Sequence, residues 1–254
     1  MGKRIVAVVL ALCLAASSCV CLAGCSKESD KPSYQLVQEG MLTVALSPDF
    51  PPFDMKEGDN LSGFDVSIAR EIASRLGLGL NVVSVPFDEV VQGVHDGTYD
   101  VALSGLSINP SRSELVDFSS PYYLVDQAII VKNSSYEMTS DLKGKRVAAQ
   151  VETTGYDYAK ANVSESVVGY DSVAECFEAL EAGEVAGIVA DAPSCRYFMK
   201  NGYSNCNVIE TAATCEKYAV AVNKNNRGLT DAINDVLDQM DKDGTLKALQ
   251  DQVG

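Results

Sequence analysis

Histidine is nearly absent: His95 is the only one in 254 residues. A Ser-His-Asp or Cys-His relay could form only around that side chain, and no G-x-S-x-G elbow accompanies it. Its setting, "VHDGTYD" at a predicted helix end, reads as solvent-facing. No G-x-x-x-x-G-K-[ST] loop is present to cradle phosphates. "GLGL" at Gly77 follows a helix instead of opening one and lacks the third glycine of a dinucleotide loop. The last four of eight cysteines, Cys176, Cys195, Cys206 and Cys215, are spaced by 19, 11 and 9 residues, which fits no zinc pattern. No cofactor is therefore expected, and an enzymatic reading starts weak. Basic residues are also scarce, 20 Lys and Arg against 35 Asp and Glu, which argues against nucleic acid as a partner.

What is present begins with "MGKR", an apolar run from Ile5 to Ala23, and "LAGC" at Leu22 to Cys25. A positive start, an apolar stretch and small residues before a cut are the marks of an export signal. The cysteine directly after them resembles the lipobox of bacterial lipoproteins. That resemblance implies a signal peptide over residues 1–24 and a lipid, such as palmitate, on Cys25. An uncleaved anchor is the rival, since about 20 apolar residues can span a bilayer, but it has no need of Leu-Ala-Gly-Cys. Either way the protein is expected outside the cytoplasm, held to the membrane. Removing Lys3 and Arg4 leaves 18 bases against 35 acids, a charge near −17. Residues 25–37 are polar and read as a flexible tether. An exported set of four cysteines favours two disulfides, and the local pair Cys195–Cys206 would leave Cys176–Cys215. Four buried free thiols remain the alternative.

The rest alternates short β-like runs with helical patterns, which indicates an α/β fold with mostly parallel strands. "LTVAL", "LNVVSV", "YDVALS" and "QAIIVK" read as strands, interleaved with helices in "GFDVSIAREIASRLG" and "FDEVVQGVHDG". Asp65 is a plausible N-cap of the first helix and Gly77 its stop. A second set begins at "DLKGKRVAAQ" and runs to "KYAVAVNK"; two closing helices then follow with no strand of their own. "SPDFPPF", "SGLSINPSR", "VETTG" and "VADAP" all fall at predicted strand ends, where open α/β sheets bind ligands.

In order along residues 38 to 250, V-A-L-x4-P-P-F, G-F-D-V, L-S-G-L-S-I-N-x-x-R, F-S-S-P-Y-Y, L-K-G-K-x-V and the Asp of V-A-D-A-P resemble the polar amino-acid-binding proteins of ABC importers. That family includes the glutamine-binding and lysine/arginine/ornithine-binding proteins. The resemblance implies a type II periplasmic-binding-protein clamshell, two α/β lobes joined by two hinge strands. Lobe 1 would comprise residues 38–131 and return over 223–254, with lobe 2 over 132–222; "IIVK" and "VAVNK" are the hinge candidates. It places Arg112 on the ligand carboxylate, a role that suits a guanidinium fork. Thr154, with Thr153 beside it, would add a backbone N–H. Asp191 would take the ammonium with the Gly105 carbonyl and the Ser107 hydroxyl, and Phe50 and Phe87 would sandwich the side chain. Asp191 also reads as a simple helix N-cap, Thr153 and Thr154 as a capping pair, and Phe50 and Phe87 as core.

The chain departs from the family pattern in two places. Ser47 stands where basic and glutamine-type members usually carry an acid, and Glu152 replaces a small glycine before the threonines. With Gln150 facing the side-chain region, a neutral polar amino acid is the expected ligand. The expected partners are that free amino acid, the permease subunits of an ABC importer and the membrane through the lipid; the protein itself is expected to be a monomer. A prephenate or arogenate dehydratase-like enzyme on the same fold, or a ligand-sensing subunit, are the alternatives.

Overall fold

A computed structural model describes residues 33–133 and 136–253. The signal segment and Cys25 lie outside the described residues. The chain opens with β1 (Met41–Leu46), a small antiparallel ribbon β2 (Asp49–Phe50), β3 (Asp54–Glu57) and β4 (Asn60–Ser62), then α1 (Phe64–Leu76). It continues through β5 (Gly79–Ser84), α2 (Phe87–His95), β6 (Val101–Ala102), α3 (Pro110–Leu115) and β7 (Val116–Phe118). A second series follows: β8 (Tyr123–Lys132), β9 (Arg146–Gln150), α4 (Thr154–Tyr158), β10 (Ser166–Tyr170), α5 (Val173–Ala182), β11 (Gly187–Asp191), α6 (Ala192–Lys200) and β12 (Cys206–Tyr218). Strand β13 (Ala221–Asn223) and helices α7 (Arg227–Lys242) and α8 (Thr245–Gln250) close the chain.

Two five-stranded sheets result, ordered β5-β1-β6-β13-β7 and β10-β9-β11-β8-β12. Within each, the strands that precede crossover helices pair in parallel, β1 with β5 and β6, and β9 with β10 and β11. The strands that arrive from the other sheet, β13 and β8, run antiparallel to their neighbours. The closing helices are no longer orphans. Helix α7 buries Leu229, Ile233, Val236, Leu237 and Met240, one helical face, in the core that also takes Ile68 and Ile72 of α1. Each such fully buried side chain contributes roughly 1.5–3 kcal/mol.

The passages between sheets differ from the expected hinge. "IIVK" lies inside β8, paired on both sides within the second sheet. The chain instead crosses at residues 119–122 and again at 219–220. Pairing of β8 thus carries the second sheet back to Tyr123, several residues before the expected boundary at 131 and 132. An apolar run with a lysine end suits a central strand as well as a hinge, and the sequence does not separate the two.

Two residues expected to be the end of a tether, Gln35 and Val37, are held to the body of the protein. Val37 N–H donates to Asp100 Oδ1 at 2.7 Å, and Asn226 Nδ2 donates to the Gln35 carbonyl at 2.7 Å. Asp65 is not the N-cap of α1. Gly63 takes that position at φ 120°, where a Cβ would lie 2.1 Å from the Phe53 carbonyl oxygen. The four described cysteines are all free: Cys176, Cys195 and Cys206 are buried and Cys215 is exposed on β12. The expected Cys195–Cys206 and Cys176–Cys215 disulfides are absent. Cys176 and Cys195 fill the apolar interior as small side chains; burial pushes the Cys176 thiol up to about 12 and raises that of Cys195 as well.

Candidate functional site

Between the two sheets the strand ends enclose a small cavity. Phe50, Phe87, Gly105 and Arg112 line it from the first sheet's side, and Thr153, Thr154 and Asp191 from the second's. It shares Phe87 and Gln150 with a wider cleft of about 650 Å³ that Ser47 also lines.

Arg112 is set by the local sequence. Asn109 caps α3 by accepting from the Arg112 backbone N–H at 2.8 Å, and Pro110 supplies the fixed φ of the first turn. The guanidinium is buried; Nη1 donates to the Ser107 carbonyl and Nη2 to the Glu152 carbonyl, each at 2.9 Å. It also lies 5.4 Å from the centre of the Phe87 ring, a cation–π contact. Burial lowers its pKa, an effect opposed by the carboxylates of Asp191 and Glu216. No carboxylate side chain among the described residues forms a direct ion pair with it.

Gly105 presents its backbone to the same cavity. Its N–H donates to Asp65 Oδ2 at 2.6 Å, its φ is 55°, and a Cβ would meet the Phe50 ring at 2.5 Å. Only glycine fits that approach. Phe50 in turn stacks on Phe53 with centroids 5.2 Å apart, so it is both core and cavity wall. Beneath lie Asp54 and Asp65, both fully buried. Asp54 accepts from Ser104 Oγ at 3.0 Å, and Ser104 Oγ in turn accepts from the Ser47 N–H.

Asp191 begins α6 but does not cap it with its side chain. Its carboxylate accepts from Tyr218 Oη and from Gln127 Nε2. Burial pushes Asp191 up to about 7, with Tyr218 pulling it down and Glu216 pushing it further up. Thr153 does act as the cap of α4: its Oγ1 accepts from the Tyr156 N–H and donates to the Gln150 carbonyl. Its hydroxyl is therefore committed within its own turn. Gln150 donates to the Asp171 carbonyl at 2.9 Å.

Glu152 sits at φ 58°, the left-handed region, which explains why a glycine would suit this position. Three residues absent from the sequence expectations belong to the cavity's surroundings: Gln127, Tyr218 and Glu216. Glu216 Oε2 accepts from Ser107 Oγ at 2.7 Å and from Thr154 Oγ1, and Oε1 accepts from Gln127 Nε2 at 2.9 Å. All three lie in strands where alternation alone gives no functional signal. His95 is exposed, bonded to Gln92 and Asp96, far from any relay. No metal-ligating cluster occurs among the described residues.

The profile of the bacterial extracellular solute-binding proteins, family 3, matches residues 42–253. The chain belongs to this family. The fold is accordingly the type II clamshell, and its two sheets are the cores of the two lobes. The arginine-binding protein 1 of an Escherichia coli ABC transporter is 28% identical over 218 residues, 83% of this chain and 89% of that protein. The L-cystine-binding protein TcyJ of Escherichia coli is also 28% identical, over 99% of this chain and 95% of its own length. Among solved structures, an ancestral amino acid-binding protein described as a precursor of cyclohexadienyl dehydratase superposes with a TM-score of 0.78. It shares 30% identity and covers 84% of this family 3 chain and 95% of its own. No helix among the described residues is long and apolar enough to cross a membrane.

Proposed function

We propose that this family 3 protein captures a polar amino acid between its lobes and delivers it to an ABC importer, held outside the cell membrane by a lipid on Cys25. The observation that carries the reading is the opposition of Arg112 and Asp191 across one small cavity, each contributed by a different lobe. Arg112 takes the ligand carboxylate with the Thr154 N–H. Asp191 takes the ammonium with the Gly105 carbonyl and Ser107. Phe50 and Phe87 flank the side chain. Because only the closed cleft presents both charges to one zwitterion, ligand binding favours closure by differential contact.

The ligand side chain then points past Ser47 and Gln150 into the wider cleft. Its wall carries Asp49, Asp88, Glu89, Asp171 and Glu175 against one base, Lys56. That rim favours side chains ending in N–H donors, so the neutral ligand expected from Ser47 is joined by cationic ones. A thermal-shift screen of the purified protein against the twenty amino acids, cystine, ornithine, prephenate and arogenate tests the reading. The expected result is stabilisation by a polar amino acid, lost in Arg112→Ala. A response to prephenate or arogenate alone, with turnover, would favour an enzyme in which Asp191, held near 7, supplies a proton.

A further inference from the structure

Glu216 lies outside the cavity wall, yet it bonds to residues around it from both lobes. Strand β12 loses its register with β8 between Ala212 and Glu216, so that extra residues bulge out of the ladder. Within the bulge Cys215 adopts φ 49°, and its N–H is fixed by Asp126 Oδ1 at 2.9 Å. Pairing resumes at Glu216 opposite Val125. The first lobe meets the strand here: Ser107 bridges to Tyr218, and the Ile108 N–H donates to the Lys217 carbonyl at 2.9 Å. Glu216 is thereby delivered to Ser107, Thr154 and Gln127 at once. Among the described residues no Lys, Arg or His pairs with it.

A hydroxyl has one proton to give, and a carboxylate only accepts. Ser107 and Thr154 both spend that proton on Glu216 Oε2. Thr154 lines the cavity and Ser107 stands two residues beyond Gly105, which also lines it; toward a ligand there, the two oxygens can then offer only lone pairs. The amide of Gln127 reinforces this polarity, since its Nε2 donates to both Asp191 and Glu216.

We propose that Glu216 is a specificity-determining positioning residue: by consuming the hydroxyl protons of Ser107 and Thr154, it makes the cavity floor accept hydrogen bonds, and so admits a ligand ammonium while rejecting the same acid with a 2-oxo group. The inference rests on the amino-acid reading above, and adds to it the residue that tells an amine from a carbonyl. Glu216→Gln reverses the polarity at almost constant shape. Gln127 Nε2 holds the new amide's oxygen toward itself, which turns the new NH₂ toward the two hydroxyls. Their protons are then free to point at the ligand.

The test is calorimetric titration of the purified protein with the amino acid found by the screen and with its 2-oxo acid. L-Arginine and 5-guanidino-2-oxopentanoate form the first pair. The unmodified protein is expected to prefer the amino acid by about 100-fold or more, and Glu216→Gln to cut that preference by about 10-fold or more. An unchanged preference, even with both ligands weakened equally, overturns the proposal, because a merely structural role would weaken both alike. If the variant fails to fold, Ser107→Ala takes its place. It should weaken the amino acid about 10-fold and leave the 2-oxo acid unaffected, and equal losses overturn the proposal. If the unmodified protein binds no amino acid at all, the function proposed above fails and carries this inference with it.

Discussion

Two acidic pairs lie within the protein, one in each lobe, and their surroundings differ. Asp54 and Asp65 are sealed in the first lobe. Their donors are Ser104 and the Gly105 N–H, and one oxygen of each carboxyl has no partner among the described residues. Burial pushes Asp65 up to about 7 and Asp54 well above its ordinary range, with Asp65 adding to the latter. Asp191 and Glu216 in the second lobe share the Gln127 amide instead, and Asp191 opens on the cavity that also holds Arg112. A sealed acid is made tolerable by a proton. One that faces a cavity can be satisfied by an arriving cation, and that is the difference between supporting a site and being one.

Exchanging one acid from each pair gives the largest expected separation. Asp191→Asn should weaken amino-acid binding by more than about 100-fold, the range seen when one partner of a buried charge pair is removed. Asp54→Asn should leave affinity within about 3-fold in the same titration. A comparable loss from both would erase the distinction. The next effect is on binding and pH. A ligand ammonium favours ionised Asp191, so a proton must leave when the ligand binds below about pH 7. Affinity should therefore fall as the pH drops from 8 to 6, by up to about 10-fold, with proton release visible in buffers of different ionisation heat.

Stability shows the opposite member of the comparison. Asp65 has its folded pKa above the unfolded value near 4, so its protonated form favours folding. That contribution is full below pH 4 and lost as the pH rises through about 7. Removing the neighbouring carboxyl by Asp54→Asn should raise Tm by about 3 °C at pH 8, on the order of 1 kcal/mol, and by less at pH 5. An equal shift at both pH values would show that the gain does not come from relieving charge on the pair. The smallest effect belongs to Glu152→Gly. Relief of the left-handed backbone, about 1–2 kcal/mol, is largely offset by the extra freedom of an unfolded glycine. Tm should change by only a few degrees.

The parts of this architecture legible in the sequence are those set by local chemistry. Asn109 and Pro110 announce the turn that carries Arg112. The apolar spacing of α7 announces a packed helix, and the ordered motifs identify the clamshell to which it returns. The cavity wall was legible for the same reason, since Phe50, Gly105, Thr154 and Asp191 all stand in marked loops at strand ends. Long-range pairing was not. "IIVK" carries no sign that β8 extends to Tyr123, and "TCEKY" none that a bulge redirects Glu216. Gln127 looks like any residue of a buried strand until its amide is seen between two carboxylates. Asp65 was misread as a cap because its partner, the Gly105 N–H, lies 40 residues away.

The two passages between the lobes are not independent strings. Ser119 N–H bonds the Val220 carbonyl and Tyr122 N–H the Tyr218 carbonyl, both at 2.9 Å. The lobes are thus joined by a doubled strap, tied across its width by these two bonds. Were the lobes to part, they would turn about this strap, which runs beside Tyr218. A rotation there would carry the rim, where Asp88 and Glu175 stand, farther than Ser107 and Glu216, which lie next to the strap. Probes placed on the rim would then register an opening that leaves the hydrogen bonds beside the strap in place.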